Sequence, residues 1–323
     1  MNWLPDLSTE TKYIPQMKQS FLVSIILILV LGIDLYDVHA KNTGRWNHAE
    51  GPYGGSVQSL YLDSEGMVLA GTLSHGVYFT SNRGDSWLQS NLEDVSVYDF
   101  AGSASGVIYA ATQEGVYRSN DNGRNWQRSS EGMEETRVQS VLVHESGRVF
   151  AATLVGGIYV SDDDGDSWAE ANEGIALKFA YALGVHNDGL LLAGVADGMY
   201  LSEDEGDSWI KAEVTFSQAR AHAIASDQDG TLFVATQSGV FRSTDLGESW
   251  HDAGGRLDDV EVYDLAITSD NTILAGTREG VYRSTDDGNT WQEDGLSEHP
   301  VYSVGYRSGV HVAGGNPGVF LRE

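Results

Sequence analysis

The sequence predicts a single all-β domain, a seven-bladed β-propeller of four-stranded antiparallel blades. A pattern of eight residues, from a hydroxyl residue to a Trp, recurs six times at a spacing of about 41 residues, and a fixed period of this size indicates a repeat architecture. Short segments rich in β-branched and aromatic residues alternate with glycine-containing turns, as in antiparallel sheets. Three such segments recur in seven units, and radial stacking of the units leaves only short sheet edges.

The eight-residue pattern is interpreted as a hairpin turn that ends in a packing anchor. Asp, Asn and Ser side chains close tight turns by hydrogen bonding to nearby backbone amides. The Gly takes a positive φ at no steric cost, and the Trp has a large apolar surface to bury. We therefore expect these turns to be structural. Their third, fifth and eighth positions are Asn82, Gly84 and Trp87; Asp121, Gly123 and Trp126; Asp163, Gly165 and Trp168; Asp204, Gly206 and Trp209; Asp245, Gly247 and Trp250; and Asp286, Gly288 and Trp291.

Each unit is expected to hold three strands before its turn and a fourth strand that begins at the Trp. The first strand of each unit should line a central channel, with the turns on the opposite face from the channel mouth. The predicted first strands are 57–62, 97–102, 138–143, 180–185, 221–226, 262–267 and 301–306.

The strand count predicts how the ring closes. There are seven first, second and third strands, but only six of the turns. Trp46 lies one repeat length before Trp87, in phase with the other tryptophans, although no turn pattern precedes it. We therefore predict that segment 44–50 pairs with the last strand, 318–322, and completes the seventh blade of a domain that spans 41–323.

Residues 1–40 are predicted to be a secretory signal peptide. Their apolar run, 21–33, is too short for a comfortable membrane span, and small residues before Ala40 predict cleavage after it. Translation is expected to start at Met17, which gives the peptide a conventional length. The predicted location is secreted or periplasmic, without stable membrane insertion after cleavage. The alternative is a retained N-terminal membrane anchor.

Composition excludes several kinds of partner and site. The chain has 47 acidic and 19 basic residues, a formal net charge of −28 and no Cys. Nucleic acid and anionic membranes bind clustered Lys and Arg, so neither is a predicted partner. The lack of Cys excludes disulfides and thiol catalysis. Since the acidic turns do not fit a calcium-loop pattern, we predict no metal and no cofactor, and we expect a monomer.

The expected ligand face is the channel mouth, where the loops that lead to the first and third strands open. Tyr and Arg are frequent contact residues at binding surfaces. The predicted ligand-binding residues are Tyr98, Tyr181, His222, Tyr263 and Tyr302 in the channel, with Arg256 and Arg278 in the loops.

Two channel carboxylates, Asp99 and Asp264, occur in identical VYD contexts. One hypothesis is that they act as the acid and base of a glycosidase, which needs about 5–10 Å between them. The other is that each caps backbone groups where strands crowd the axis. Ser or Ala occupies the equivalent place in the other units, which favours the second hypothesis.

The pattern S/T-x-D-x-G-x-x-W, present in the six copies above, resembles the Asp-box, or BNR, repeat over nearly all of the predicted domain. That family includes sialidases, xyloglucan-type endoglucanases, sortilin-like receptors and assembly factors resembling the photosystem II factor of the Ycf type. Sialidases use three arginines around the substrate carboxylate. The repeated arginines here, Arg118, Arg242 and Arg283, stand in third strands outside the channel column.

The resemblance favours a non-catalytic binding or scaffolding propeller with a protein or glycan ligand at the channel mouth. No unit carries the long insertion that an enzyme on this scaffold needs to wall a cleft. The alternative is a glycoside hydrolase, of xyloglucanase or sialidase type, that uses the channel carboxylates.

Overall fold

The computed structural model describes residues 44–52, 55–214 and 220–322. The predicted signal peptide at 1–40, with its cleavage site, its internal start and the alternative anchor, lies outside the described residues. Within the three described ranges, no helix combines the length and the apolar character needed to cross a bilayer.

Seven four-stranded antiparallel sheets form the described domain, and we number them as blades 1 to 7 in chain order. Each inner strand contacts the inner strands of both neighbouring blades, and blade 7 contacts blade 1, so the ring is closed. The predicted seven-bladed fold is confirmed. From inner to outer, the strands are Val57–Leu62, Val68–Thr72, Gly76–Thr80 and Leu88–Gln89 in blade 1; Val97–Gly102, Ile108–Thr112, Gly115–Ser119 and Gln127–Arg128 in blade 2; Val138–Val143, Val149–Thr153, Gly157–Ser161 and Ala169–Glu170 in blade 3; Ala180–Val185, Leu191–Val195, Gly198–Ser202 and Ile210–Lys211 in blade 4; Ala221–Ser226, Leu232–Thr236, Gly239–Ser243 and His251–Asp252 in blade 5; Val262–Ile267, Ile273–Thr277, Gly280–Ser284 and Gln292–Gly295 in blade 6; and Val301–Arg307, Val310–Gly315, Gly318–Arg322 and Asn47–His48 in blade 7.

The core lies between neighbouring blades. A single sheet leaves both of its faces open, so each blade must bury its apolar side chains against the next. The second strands of blades 1 to 6 are buried along their whole length. Tyr109 of blade 2, for example, packs in one cluster with Val149 and Trp168 of blade 3. This mutual burial stacks the blades into a ring.

The ring closes through the N-terminal segment, as predicted. Asn47 pairs with Leu321 and His48 with Phe320, in antiparallel register. The paired strand is shorter than the predicted segment 44–50, because only two of its residues pair in strand register. The indole of Trp46 donates a hydrogen bond to the carbonyl of Asp294, in the outer strand of blade 6, at 2.7 Å. The N-terminal segment therefore joins blade 7 to blade 6.

The outer strands begin one residue after each Trp, and not at the Trp as expected. The backbone N–H of Trp168 donates to the carbonyl of Glu131 at 2.8 Å, and that of Trp209 to Glu173 at 2.9 Å. Both acceptors follow the outer strand of the preceding blade. Because these two N–H groups bind the preceding blade, the hydrogen bonds between the third and outer strands start at the next residue.

The turn of blade 3 shows how the eight-residue pattern works. The Ser161 hydroxyl donates to Asp163 at 2.8 Å and accepts the N–H of Gly165 at 2.8 Å. Asp163 in turn accepts the N–H and the hydroxyl of Ser167, at 2.8 and 2.6 Å. Hydrogen bonds from Ser167 are the main reason that the pKa of Asp163 falls to about 2. The indole of Trp168 donates to the carbonyl of Ser129 in blade 2 at 2.8 Å, which locks the turn to its neighbour.

Each of these turns also contains a second left-handed residue, which the sequence pattern does not predict. It directly precedes the Gly and has a φ of 56° to 59° in all six turns. In blade 5 this residue is Leu246, whereas in blade 2 it is Asn122. An L-residue other than Gly, Asn or Asp pays about 1–2 kcal/mol in this conformation. Leu246 is therefore a strained position.

Replacing Leu246 by Asn should stabilise the protein. Leu246 is exposed, so little packing is lost, while Asn tolerates the left-handed backbone. We expect the free energy of unfolding to rise by about 0.5–1 kcal/mol, measured by urea or thermal unfolding. The reverse change in blade 2, Asn122→Leu, is the matched control and should lower it by a similar amount. An unchanged or lower melting temperature for Leu246→Asn would contradict the strain.

Candidate functional site

Every inner strand carries a β-bulge near its beginning. In blade 2, Val97 pairs with Thr112 and Asp99 with Ala111, which leaves Tyr98 without a partner. The same shift recurs in the other six blades. Bulges redirect a side chain and are common beside functional sites. The seven bulged residues are Gln58, Tyr98, Gln139, Tyr181, His222, Tyr263 and Tyr302.

The bulged side chains line a cavity of about 390 Å³ at the mouth of the channel. All seven are partly buried. The cavity thus brings together five of the predicted ligand-binding residues, namely Tyr98, Tyr181, His222, Tyr263 and Tyr302.

The two loop arginines of the predicted set, Arg256 and Arg278, do not line this cavity. Both side chains are 60% exposed. Arg256 lies 3.7 Å from a carboxylate oxygen of Glu293, and Arg278 lies 3.6 Å from one of Glu279. Both arginines therefore form surface ion pairs outside the cavity, although the charge of Arg278 is close enough to Tyr263 to oppose the rise in the pKa of that phenol.

An arc of packed aromatic rings forms one side of the cavity. The ring centroids of His222 and Tyr263 are 5.8 Å apart, and those of Tyr263 and Tyr302 are 5.0 Å apart. The Tyr263 hydroxyl donates to Glu261 at 3.1 Å. Burial, with the charge of Glu261, raises the pKa of Tyr263 to about 12. Burial and the nearby charge of Arg220 lower the pKa of His222. Both rings are therefore neutral at pH 7.

Arg220 is a lining residue that the sequence pattern does not reveal. Its guanidinium carbon lies 4.0 Å from the centroid of the Tyr181 ring, and Nη2 donates to Oε1 of Gln139 at 3.2 Å. Its Nε is buried and has no hydrogen-bond partner among the residues that the structure describes. No carboxylate of the described residues lies within ion-pair distance of Arg220, and burial lowers its pKa. It precedes the inner strand of blade 5, where Glu261 and Arg137 hold the equivalent places in blades 6 and 3.

The two channel carboxylates lie one residue beyond the bulges, and each accepts three hydrogen bonds. Asp99 accepts the N–H of Phe100 at 2.8 Å, the hydroxyl of Ser140 at 2.8 Å and the N–H of Val141 at 3.1 Å. Ser140 also accepts the N–H of Leu183 at 3.3 Å. One carboxylate therefore links blades 2, 3 and 4.

Asp264 repeats this arrangement on the other side of the ring. It accepts the N–H of Leu265 at 2.8 Å, the hydroxyl of Ser303 at 3.0 Å and the N–H of Val304 at 2.9 Å. Ser303 accepts the N–H of Leu60 at 3.2 Å, so blades 6, 7 and 1 are linked. Burial outweighs these donors and raises the pKa of Asp264 to about 7 and that of Asp99 to about 6.

The repeated third-strand arginines lie away from the cavity. Arg118 and Arg242 donate to the carbonyls of Asp164 and Asp287, in the turns of the next blades, at 2.9 and 2.7 Å. Arg283 lies 3.6 Å from a carboxylate oxygen of Asp294. Arg118 and Arg242 thus join a third strand to the turn of the next blade, Arg283 pairs within blade 6, and the three do not converge on a site. Among the described residues, no three His, Cys, Asp or Glu side chains are grouped closely enough to hold a metal ion.

Comparison with known proteins identifies a propeller. Residues 197–306, about a third of the chain, match a family model described as the DUF6242 beta propeller domain. No curated protein matches the chain. Among solved structures, the extracellular domain of BT4673 from B. thetaiotaomicron superimposes with a TM-score of 0.73 at 15% identity, over 87% of this chain and 40% of that one. This chain thus spans well under half the length of that relative.

Two further relatives are similar in fold. YCF48 from Cyanidioschyzon merolae has a TM-score of 0.66 at 18% identity, over 85% of this chain and 97% of that one. A structure of YCF48 bound to a D1 peptide has a TM-score of 0.68 at 18% identity, with coverages of 85% and 94%. The GH74 enzyme of Niastella koreensis has a TM-score of 0.67 at 15% identity, over 85% of this chain and 53% of the enzyme. At these identities the likeness establishes the fold: this chain is a β-propeller.

Proposed function

We propose that this chain is a secreted or periplasmic, non-catalytic binding module, and that a protein ligand enters the mouth of its channel. The cavity carries this proposal. Seven side chains freed from strand pairing converge on it, together with a guanidinium that has no acidic partner among the described residues. The similar folds of an extracellular domain and of a propeller bound to a peptide support this choice.

We assign the six turns to the Asp-box repeat and give them a structural role. Their support is the hydrogen bonding within each turn, in which a hydroxyl residue, an acidic or amide residue and a Gly satisfy one another. The order of the antiparallel strands puts these turns at the far end of each blade from the cavity. We further propose that residues 1–40 are a signal peptide cleaved after Ala40 and that the mature protein is a monomer.

We assign Asp99 and Asp264 to holding neighbouring blades together. Each makes three hydrogen bonds to neighbouring groups, two of them to the next blade. A glycosidase acid must donate its proton to the substrate, and its partner must face a water molecule or the sugar. One observation favours the hydrolase alternative: the pKa of Asp264, at about 7, suits a general acid.

Replacing Asp99 or Asp264 by asparagine distinguishes the blade-holding role from the hydrolase alternative. Asp99→Asn or Asp264→Asn turns an amide donor towards groups that already donate, so we expect the free energy of unfolding to fall by about 1–3 kcal/mol. A blade-holding role predicts this loss in thermal unfolding and no hydrolysis by the full chain on xyloglucan or sialosides. Asp85→Asn, an exposed change in the turn of blade 1, is the control and should be neutral.

Two outcomes would contradict the proposed function. One is hydrolysis by the unaltered protein that both Asn variants abolish without any change in melting temperature. The other is a full chain that retains no member of a random peptide library.

A further inference from the structure

Arg220 supplies a positive charge to the cavity, and no carboxylate of the described residues forms an ion pair with it, although the charge of Glu261 is close enough to oppose the burial-induced fall in its pKa. Among the described residues that line the cavity, it is the only permanent cation. The chain has 47 acidic and 19 basic residues, so acidic partners are abundant. Other arginines have them: Arg118 lies 2.6 Å from Asp166, and Arg322 lies 2.6 Å from Asp294. A partly buried charge is costly unless it is paired.

The guanidinium is held in place before any ligand arrives. The face of Tyr181 supports its plane, and Gln139 takes one of its five N–H groups. A fixed, planar guanidinium matches a carboxylate through two parallel hydrogen bonds. Tyr98, Tyr302 and Gln58 line the same cavity and carry further hydroxyl and amide donors.

The two aspartates limit how deep an anion can bind. Asp99 and Asp264 line the same cavity one residue beyond the bulges. Their ionised forms repel a carboxylate, and their oxygens already accept hydrogen bonds from backbone and serine donors. An anion therefore binds at the level of Arg220, at the mouth.

The residues around Arg220 favour the C-terminus of a polypeptide over an acidic sugar as its ligand. A sugar ring stacks on a free aromatic face, but Arg220 covers Tyr181, and Tyr263 lies between His222 and Tyr302. Phe179 and Leu177, in the segment that leads to Tyr181, are exposed apolar residues on the mouth face. They offer contacts to apolar side chains next to a chain end, and the net charge of −28 attracts basic residues further upstream.

On the basis of the proposed binding function, we infer that Arg220 binds the C-terminal carboxylate of a polypeptide whose last residues are apolar and whose preceding residues are basic. Arg220 binds the carboxylate, and Gln139 and Tyr181 position the guanidinium of Arg220. Phe179 and Leu177 contact the ligand residues before the carboxylate.

The test uses the full chain and a synthetic library of nine-residue peptides, with Lys at positions three to five and random apolar residues at the last two positions. The library is made once with a free C-terminal carboxylate and once with a C-terminal amide. We expect the acids to bind roughly 10- to 100-fold more tightly than the amides, the range of one charge-assisted hydrogen-bonded pair. Arg220→Gln should remove this difference, and Arg220→Lys should restore part of it. Arg118→Gln, which removes the same charge away from the cavity, is the matched control and should change neither affinity.

The outcomes separate this inference from the proposed function. Equal binding of acid and amide peptides to the unaltered protein would overturn the carboxylate anchor and leave the binding function standing. No peptide binding at all would overturn both. Arg220-dependent binding of galacturonate or sialic acid, with no peptide binding, would overturn the polypeptide ligand. The acid-against-amide comparison on the unaltered protein does not depend on whether an Arg220 variant folds.

Discussion

Removing residues 44–50 is expected to destabilise the propeller more than any other change of this size. The deletion takes away the outer strand of blade 7, so the backbone groups of Gly318–Arg322 become a free sheet edge. It also removes Trp46, whose ring lies 4.6 Å from the guanidinium of Arg322. That guanidinium and its partner Asp294 are both nearly buried. The deletion therefore exposes an ion pair as well as a strand edge.

The single substitution Trp46→Ala tests the same closure without shortening the chain. It removes the hydrogen bond to Asp294 and the packing against Phe320 and Val304. We expect it to lower the free energy of unfolding by about 3–5 kcal/mol, and the melting temperature by about 10 °C. Asn47→Ala changes the exposed residue next to Trp46 and should alter the free energy of unfolding by less than about 0.5 kcal/mol. An unchanged melting temperature for Trp46→Ala would show that this segment does not hold the ring closed.

Replacement of the Trp of a turn is expected to give the second largest loss in the free energy of unfolding. Trp250 is 1% exposed and packs with Leu192 and Met199 of blade 4 and with Leu232 of blade 5. Trp250→Ala opens a cavity between two blades and should cost about 3–5 kcal/mol in unfolding experiments. Ile210→Ala makes a fitting control, because Ile210 is 69% exposed although it is a large apolar residue next to a turn Trp. Similar losses for the two variants would contradict the anchoring role of the Trp.

Most of the fold could be predicted because the same local pattern occurs in every unit. Six of the seven predicted first strands agree with the inner strands residue for residue, and the strand at 301–306 continues by one residue to Arg307. The closure of the ring was also predictable, because Trp46 lies one repeat length before Trp87 although no turn pattern precedes it. Where the prediction was wrong, it was wrong in every unit: the outer strands all begin one residue later than predicted. In blades 3 and 4 the reason is that the Trp N–H binds a carbonyl of the preceding blade.

The candidate site was harder to predict, because it depends on residues that do not follow the repeat. The channel column is periodic, so Tyr98 and Tyr263 could be found from their strands. Arg220 stands just before a strand, where the seven units share no residue type, so periodicity gives no signal there. The partners of Asp99 and Asp264 lie about 40 positions away, on the next blade. Only the packing of one blade on another shows that these carboxylates accept hydrogen bonds from the next blade.

The bulges at the channel mouth separate the residues that line the cavity from those that encode the fold. A bulged residue is absent from the ladder with the second strand, so its replacement removes no paired position from the sheet. Seven such residues, one in each blade, face a common space. Selectivity can therefore change one blade at a time while the turns and the interblade core stay constant. This makes the ring a scaffold on which new recognition surfaces could arise by mutation at little cost to folding.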